Sequence, residues 1–426
     1  MKYRIPFRQV LLYAYFPILM LNFYLVMYGV NTYSFILLPC LLLLIWFSIS
    51  IIASDLSSRK NALFTIFLLY NILSIVHYAY NGRPLDCYTT ALRYVVFPMT
   101  FYIFGQDERD DSNKLYHYLL YSCIFLFVVG WYLYFVGPDY YKSFLMNARE
   151  NKWYTGSFSY GESDVLQYAR MSSFFTSSYE VSYFSIPCLI ISLMLVLNKN
   201  EYLKKWLLYV FAVICWVSSI LCMQRVAIAS GTLFLLFYLY YTRKEGNNKS
   251  GFFLLFIIIC VIAVAISAIA TDRGAVIYEM LTGRIDDLSF STAMSERSGV
   301  TDKALRAWNY YIFGGGIGSF STVAIQHGFP GVADAEYVRI LTEYGAVGAF
   351  IFGLLVLKNL YHGVKYFRVY KIEVCIIAFF LIAFLGSNSL SMTFTFSPVF
   401  WYALGHIRNT SYMNRFIKEN INYTIR

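Results

Sequence analysis

Charge is what this sequence has least of. Of its 426 residues only 14% are Asp, Glu, Lys or Arg, against 59% hydrophobic, and the mean hydropathy is +0.55. Soluble domains run at about 25% charged and roughly 45–50% apolar, so an ordinary water-soluble globule is excluded. Cysteines in polar segments are nearly absent too. Cys40, Cys123, Cys188, Cys215, Cys222, Cys260 and Cys375 sit inside apolar stretches and only Cys87 lies in a short polar connection, a distribution that argues against a disulfide framework. Metal-ligand spacing is missing: His77, His117, His327, His362 and His406 are scattered and none belongs to an H-E-x-x-H pattern, so no protein-built metal site is expected. No internal repeat or low-complexity tract is present, and an aromatic content of 20% excludes disorder.

What is present is apolar length. Crossing a bilayer takes about 20 apolar residues, since roughly 30 Å of hydrocarbon is covered at 1.5 Å per residue. Twelve stretches meet or approach this, at 10–28, 33–53, 62–80, 88–105, 115–136, 183–197, 206–222, 226–241, 251–270, 338–357, 373–390 and 394–407. The sixth and twelfth are short, and the twelfth carries Pro398. The first run is too long for a cleaved signal peptide and lacks a small-residue cleavage site. The pattern predicts an all-α, polytopic integral membrane protein of about twelve transmembrane helices forming one domain over 1–426.

Lys and Arg accumulate on the cytoplasmic side of a membrane protein. With the N-terminus inside, cytoplasmic segments hold 21 of the 34 basic residues, while the four short outer turns hold only Arg83 and Arg225. Both termini are therefore expected in the cytoplasm. The same distribution accounts for the net charge of +10 without nucleic-acid binding. Two outer connections are long, 137–182 and 271–337, and both are net acidic, with four basic against five acidic residues and five against eight. Long loops commonly carry function. An arginine in an acidic loop is an individually placed group.

Several residues are candidates for chemistry. Arg93 lies within the fourth stretch, where a charge faces a cavity or partner, or snorkels to headgroups. Arg225, in CMQRVAIASG between the seventh and eighth stretches, is suited to holding a lipid diphosphate bidentately, or to anchoring a tight turn among headgroups. Arg170 opens ARMSSFFTSSYEVSYF at the end of the first long loop, where phosphate or sugar hydroxyls are the matching ligands. In the second loop, the spacing of Val300, Ala304, Leu305, Ala307 and Trp308 predicts an amphipathic helix between Ser295 and Asn309, with Arg297 near its start and Arg306 near its end. Gly314, Gly315, Gly316 and Gly318 permit positive φ and close approach of a ligand, without a Walker lysine. His327, Asp334, Glu336 and Glu343 are the acid/base candidates. Asp334 and Glu336 also suit a cap and first-turn charge on the tenth span.

The order S-E-R, then W, then GGGIGSF, then A-D-A-E-Y-V-R-I-L-T-E-Y-G-A-V-G at a span entry resembles the O-antigen polymerase and ligase superfamily, the Wzy/WaaL-type membrane proteins. The Q-R-V-A turn at Arg225 resembles the S-R-x-A element of that superfamily, and the two long outer loops match its layout. The resemblance implies a multi-span glycosyltransferase acting on undecaprenyl-diphosphate-linked oligosaccharide at the outer face of the bacterial inner membrane, without cofactor or metal. On that reading Arg225 and Arg297 match the motif arginines near the diphosphate, and Arg170 is a looser match. Ligases place a histidine where this chain has Asp334, and His327 is seven residues too early; this favours polymerase over ligase. Arg149 to Gly161 and Arg306 to Gly318 repeat the arginine-to-glycine spacing of polymerase loops with one residue more. Membrane lipid and a polysaccharide chain-length regulator are the further partners implied. The expected catalytic groups are Asp334 and Glu336, and the expected substrate-binding groups Arg170, Arg225, Arg297, Arg306, Gly316 and His327. The rival class is a lipid-linked oligosaccharide flippase, whose site would lie near the bilayer midplane among broken helices.

Overall fold

The computed structural model of the chain describes residues 61–80, 92–106, 112–135, 178–197, 203–222, 224–244, 312–319, 336–385 and 397–409, with single positions Ile259, Ala263 and Met413. Among the described residues every regular element is helical. They are α1 (Ala62–Tyr80), α2 (Phe97–Gly105, entered through a π-helical turn at Leu92–Val96), α3 (Ser112–Phe135), α4 (Ser178–Leu197), α5 (Lys205–Leu221), α6 (Arg225–Lys244), α7 (Glu336–Lys365), α8 (Phe367–Ala383) and α9 (Ser397–His406). Each falls on one of the apolar stretches. The stretches 10–28, 33–53 and 251–270 lie outside the described residues, apart from the two single positions in the last.

Four helices are long and apolar enough to cross a membrane: Leu115–Tyr132 within α3, Glu180–Leu197 within α4, Val226–Lys244 within α6, and α7. Their outward faces agree with that. Tyr121, Phe125, Val128 and Tyr132 on α3, and Phe350, Leu354, Leu357, Tyr361 and Val364 on α7, recur every three or four residues and are exposed. A continuous apolar stripe of this kind is unfavourable against water and at home against hydrocarbon.

Some helices differ in detail from the sequence reading. Pro398 is the second residue of α9, where its missing N–H and fixed φ cost nothing. The tenth stretch is a 30-residue helix, α7, broken at Gly345. The eleventh is helical from Phe367, six residues before the apolar run begins, and ends at Ala383.

The chain divides into two compact units. The first contains α1, α2, α7, α8, α9 and the segment 312–319. Its core is aromatic: Phe64 stacks on Tyr102 with ring centroids 4.0 Å apart, and Phe67 meets Trp401 at 6.2 Å, Tyr344 at 5.5 Å and Phe352 at 5.5 Å. Helices α2 and α9 touch backbone to backbone, because a Cβ on Gly405 would strike the Tyr102 carbonyl and one on Gly105 the Tyr402 carbonyl. Small residues at a helix crossing are the usual device where hydrocarbon offers no hydrophobic drive to association. Asn61 and Gln106 exchange amide hydrogen bonds of 2.9 and 2.6 Å between one end of α1 and the end of α2.

The second unit contains α4, α5, α6 and α3 from Asn113 on. Its centre is α4, with 94% of its apolar window buried. Trp131 on α3 donates its indole N–H to Ser218 Oγ on α5 at 2.9 Å. Cys123, Cys188, Cys215 and Cys222 are buried in this unit and none is in a disulfide.

Candidate functional site

The candidate site is built where α7 breaks. At Gly345 the backbone turns to φ 66, ψ −174, a conformation open to glycine and costly to residues with a Cβ. Leaving the helix there deprives the preceding carbonyls of donors one turn on, and a buried orphan carbonyl costs about 1–3 kcal/mol. The glycine segment supplies the replacements: Gly315 N–H donates to Thr342 O at 2.7 Å and Gly316 N–H to Glu343 O at 3.0 Å. Tyr70 of α1 reaches in with its hydroxyl to the carbonyls of Phe313 and Tyr344. On the far side of the break Val347 N–H donates to Ile312 O at 3.4 Å.

Such an arrangement requires glycine on both partners. Gly314 (φ 79), Gly316 (φ 93) and Gly318 (φ 81) adopt positive φ. A Cβ on Gly314 would strike the Glu343 carbonyl and Gly345 N, and one on Gly345 would strike Gly314 N and the Ile312 carbonyl. The close approach that the glycine run permits is thus made to the backbone of α7. Gly316, expected to contact a ligand, has its N–H engaged by Glu343 O.

The nine residues before the break carry the charge. Glu336, Arg339 and Glu343 recur at i, i+3 and i+7 and therefore share one helical face; they are 1%, 2% and 1% exposed. Arg339 Nε stands 3.1 Å from Glu343 Oε1. Glu336 occupies the first turn of α7, the position where a carboxylate favours the helix dipole, and its backbone N–H donates to Phe384 O at 3.1 Å, joining α7 to the end of α8. Tyr337 does the same with its side chain, donating to Leu381 O at 2.8 Å.

A second polar cluster lies at the opposite end of the same unit. His406 Nδ1 and Glu373 Oε1 are 2.9 Å apart and both side chains are buried. Tyr370 donates to Asn409 O at 2.9 Å, and Arg408 Nε donates to Asn359 Oδ1.

Of the residues singled out from sequence, Glu336 and Gly316 belong to this one unit, Gly316 meeting α7 at Glu343, two turns from Glu336. Arg225 opens α6 in the second unit, described there by its backbone alone, four residues after α5 ends at Leu221. Arg93 is the second residue of the π-helical turn, likewise described by backbone. Arg170, Arg297, Arg306, His327 and Asp334 lie outside the described residues, as does the helix expected between Ser295 and Asn309. The sequence reading passed over Arg339. Its signal was the E-x-x-R-x-x-x-E spacing itself, which places a cation between two carboxylates on one face. Glu373 and His406 were missed because the first borders a cytoplasmic connection in the span assignment and the second sits at a helix end. No family model and no curated protein matches the chain.

Proposed function

We propose that this chain is a polymerase of the O-antigen polymerase and ligase type. It joins undecaprenyl-diphosphate-linked oligosaccharide repeats at the outer face of a bacterial inner membrane, with about twelve spans and both termini in the cytoplasm. The observation that carries the reading is the buried Glu336–Arg339–Glu343 face at the entry of α7, where the second long loop ends, coincident with the A-D-A-E-Y-V-R-I-L-T-E-Y-G motif. The four apolar helices long enough to cross a membrane support the setting.

In the proposed reaction the acceptor hydroxyl oxygen bonds to the donor's anomeric carbon as the bond from that carbon to the diphosphate breaks. The hydroxyl proton passes to a carboxylate, Asp334 or Glu336, and the electron pair leaves on the diphosphate. Arginines at 170, 225, 297 and 306 are the charges that stabilise the departing anion, and His327 and Gly316 belong to the substrate-binding set. One displacement inverts the anomeric configuration. Removing one such preorganised contact typically costs about 2.7–4 kcal/mol, roughly 10²–10³ in rate.

The test is Arg225→Ala and Arg297→Ala in the native host, read as lipopolysaccharide on a gel. Loss of the long ladder with the single-repeat product retained supports a polymerase. Loss of all repeat-bearing product, with lipid-linked chain accumulating, indicates a ligase. An unchanged ladder with normal amounts of mutant protein removes both arginines from the site. Labelling that placed 271–337 in the cytosol would sink the whole reading.

One observation favours a second reading. A helix interrupted at Gly345 beside buried ionisable residues is the construction of transporter sites, and a lipid-linked oligosaccharide flippase has this plan. Proteoliposomes separate the two: a flippase moves the lipid-linked saccharide across the bilayer without lengthening it.

A further inference from the structure

Buried polar atoms without partners gather in the first unit. Among the described residues, Arg339 Nη1, Asn71 Oδ1 and the hydroxyls of Ser74, Ser319 and Ser397 are enclosed and make no hydrogen bond. Unpartnered buried groups in a native fold mark a strained, catalytic or ligand-contacting place. Arg339 is the most costly of them. Its guanidinium is 98% buried by side-chain exposure, Nε faces Glu343, and Nη1 has no acceptor. Two of the others adjoin the aromatic core that also holds Tyr344. Asn71 is one turn beyond Phe67, which packs on Tyr344, and Ser397 is one turn before Trp401, which packs on Phe67.

The donors and acceptors of this face decide what chemistry it takes. Glu336 and Glu343 stand three residues before and four after Arg339, so carboxylate acceptors lie on both sides of its guanidinium donors. A hydroxyl both donates and accepts, and a carboxylate beside a free N–H offers it one partner of each kind. Asn and Ser side chains extend the same mixed offer, and the buried rings of Phe67, Tyr344 and Trp401 stand nearby.

Resting on the glycan-polymerase reading, we propose that Arg339 and Glu343 form the walls of a sugar subsite that holds hydroxyls of the oligosaccharide, separate from the arginines assigned to the diphosphate. Arg339 Nη1 donates to a sugar oxygen, Glu343 accepts from the adjacent hydroxyl, and the break at Gly345 fixes the end of the nine-residue helix that carries both.

The test uses the full-length protein in lipid nanodiscs with three probes prepared from its own host: intact lipid-linked oligosaccharide, the same oligosaccharide released free of lipid and phosphate, and undecaprenyl diphosphate alone. The released oligosaccharide is expected to bind wild type, and its affinity to fall at least about tenfold in Arg339→Gln and in Glu343→Gln, with undecaprenyl diphosphate binding unchanged. Arg339→Lys is the companion variant. It keeps the positive charge that faces Glu343 while removing the planar donor, so it separates lost binding from lost folding, which is checked by its melting temperature. The proposal is overturned if the released oligosaccharide fails to bind wild type, if it binds a folded Arg339 variant as tightly as wild type, or if diphosphate binding is what falls. The gel ladder is read separately. A missing wild-type ladder with oligosaccharide binding intact would overturn the polymerase reading and leave the subsite standing.

Discussion

The two units solve the burial of polar groups in opposite ways. In the second unit, hydroxyls are satisfied inside their own helices: Ser185 donates to Ser182 O, Ser192 to Cys188 O, Ser219 to Trp216 O, Ser230 to Val226 O and Thr242 to Leu239 O, at 2.6–3.1 Å. These hydroxyls need nothing from a neighbouring helix, the condition for standing in hydrocarbon, although Trp131 bonds Ser218 across helices and Trp216 Nε1 is unpartnered. Glu180 and His117 are the acidic and basic side chains buried there among the described residues. In the first unit Glu336, Arg339, Glu343, Lys371, Glu373 and His406 are buried, backbone groups are satisfied by distant segments, and several side-chain atoms have no partner. Regular apolar helices make a scaffold. Broken helices with enclosed charge are retained at a cost in stability, which is where chemistry is to be sought.

Glycine substitution should break this contrast most sharply. Gly345→Ala forces a Cβ into a left-handed backbone and onto the backbone of Gly314 and Ile312, and Gly405→Leu drives α2 from α9; each is expected to cost about 3 kcal/mol or more, seen as loss of the monodisperse peak in detergent and a collapsed melting temperature. Next comes Glu373→Leu, which removes the carboxylate facing His406 inside the unit and should cost about 2–3 kcal/mol. Replacing both residues with Leu should recover much of that loss in the same melting assay. In the second unit, Gly231→Ala places its Cβ against the tip of the Ile186 side chain, 2.7 Å away, which can turn aside; the change in stability should stay within about 1 kcal/mol. Smallest is Gly353→Ala, facing open space, where the gain is at most the helix-propensity difference of about 1 kcal/mol. If Gly231→Ala proved as damaging as Gly345→Ala, the distinction between the units would fail.

How much of this was legible beforehand follows the range of the forces involved. Apolar runs marked where the described helices lie, since a span is a local property of composition, and Glu336 fell in the first turn of its helix as its charge suits. The break at Gly345 was not legible. Its cause is a set of hydrogen bonds from a segment some thirty residues earlier and from Tyr70, much further away in sequence, and no window of neighbouring residues contains that information. GGGIG advertised unusual backbone, and the sequence could not say that its partner would be a helix in the same chain rather than a ligand. For Arg339 the periodicity was in view, while its enclosure depends on what packs around α7.

The mutual fit of Gly314 and Gly345 also bears on biogenesis. The earlier segment emerges from the ribosome with its amide donors unmatched and can take its final form only when the later helix has been threaded beside it. Assembly of this region is therefore tied to the insertion of α7, and a chain stopped before α7 would carry a GGGIG segment without the Thr342 and Glu343 carbonyls it closes on.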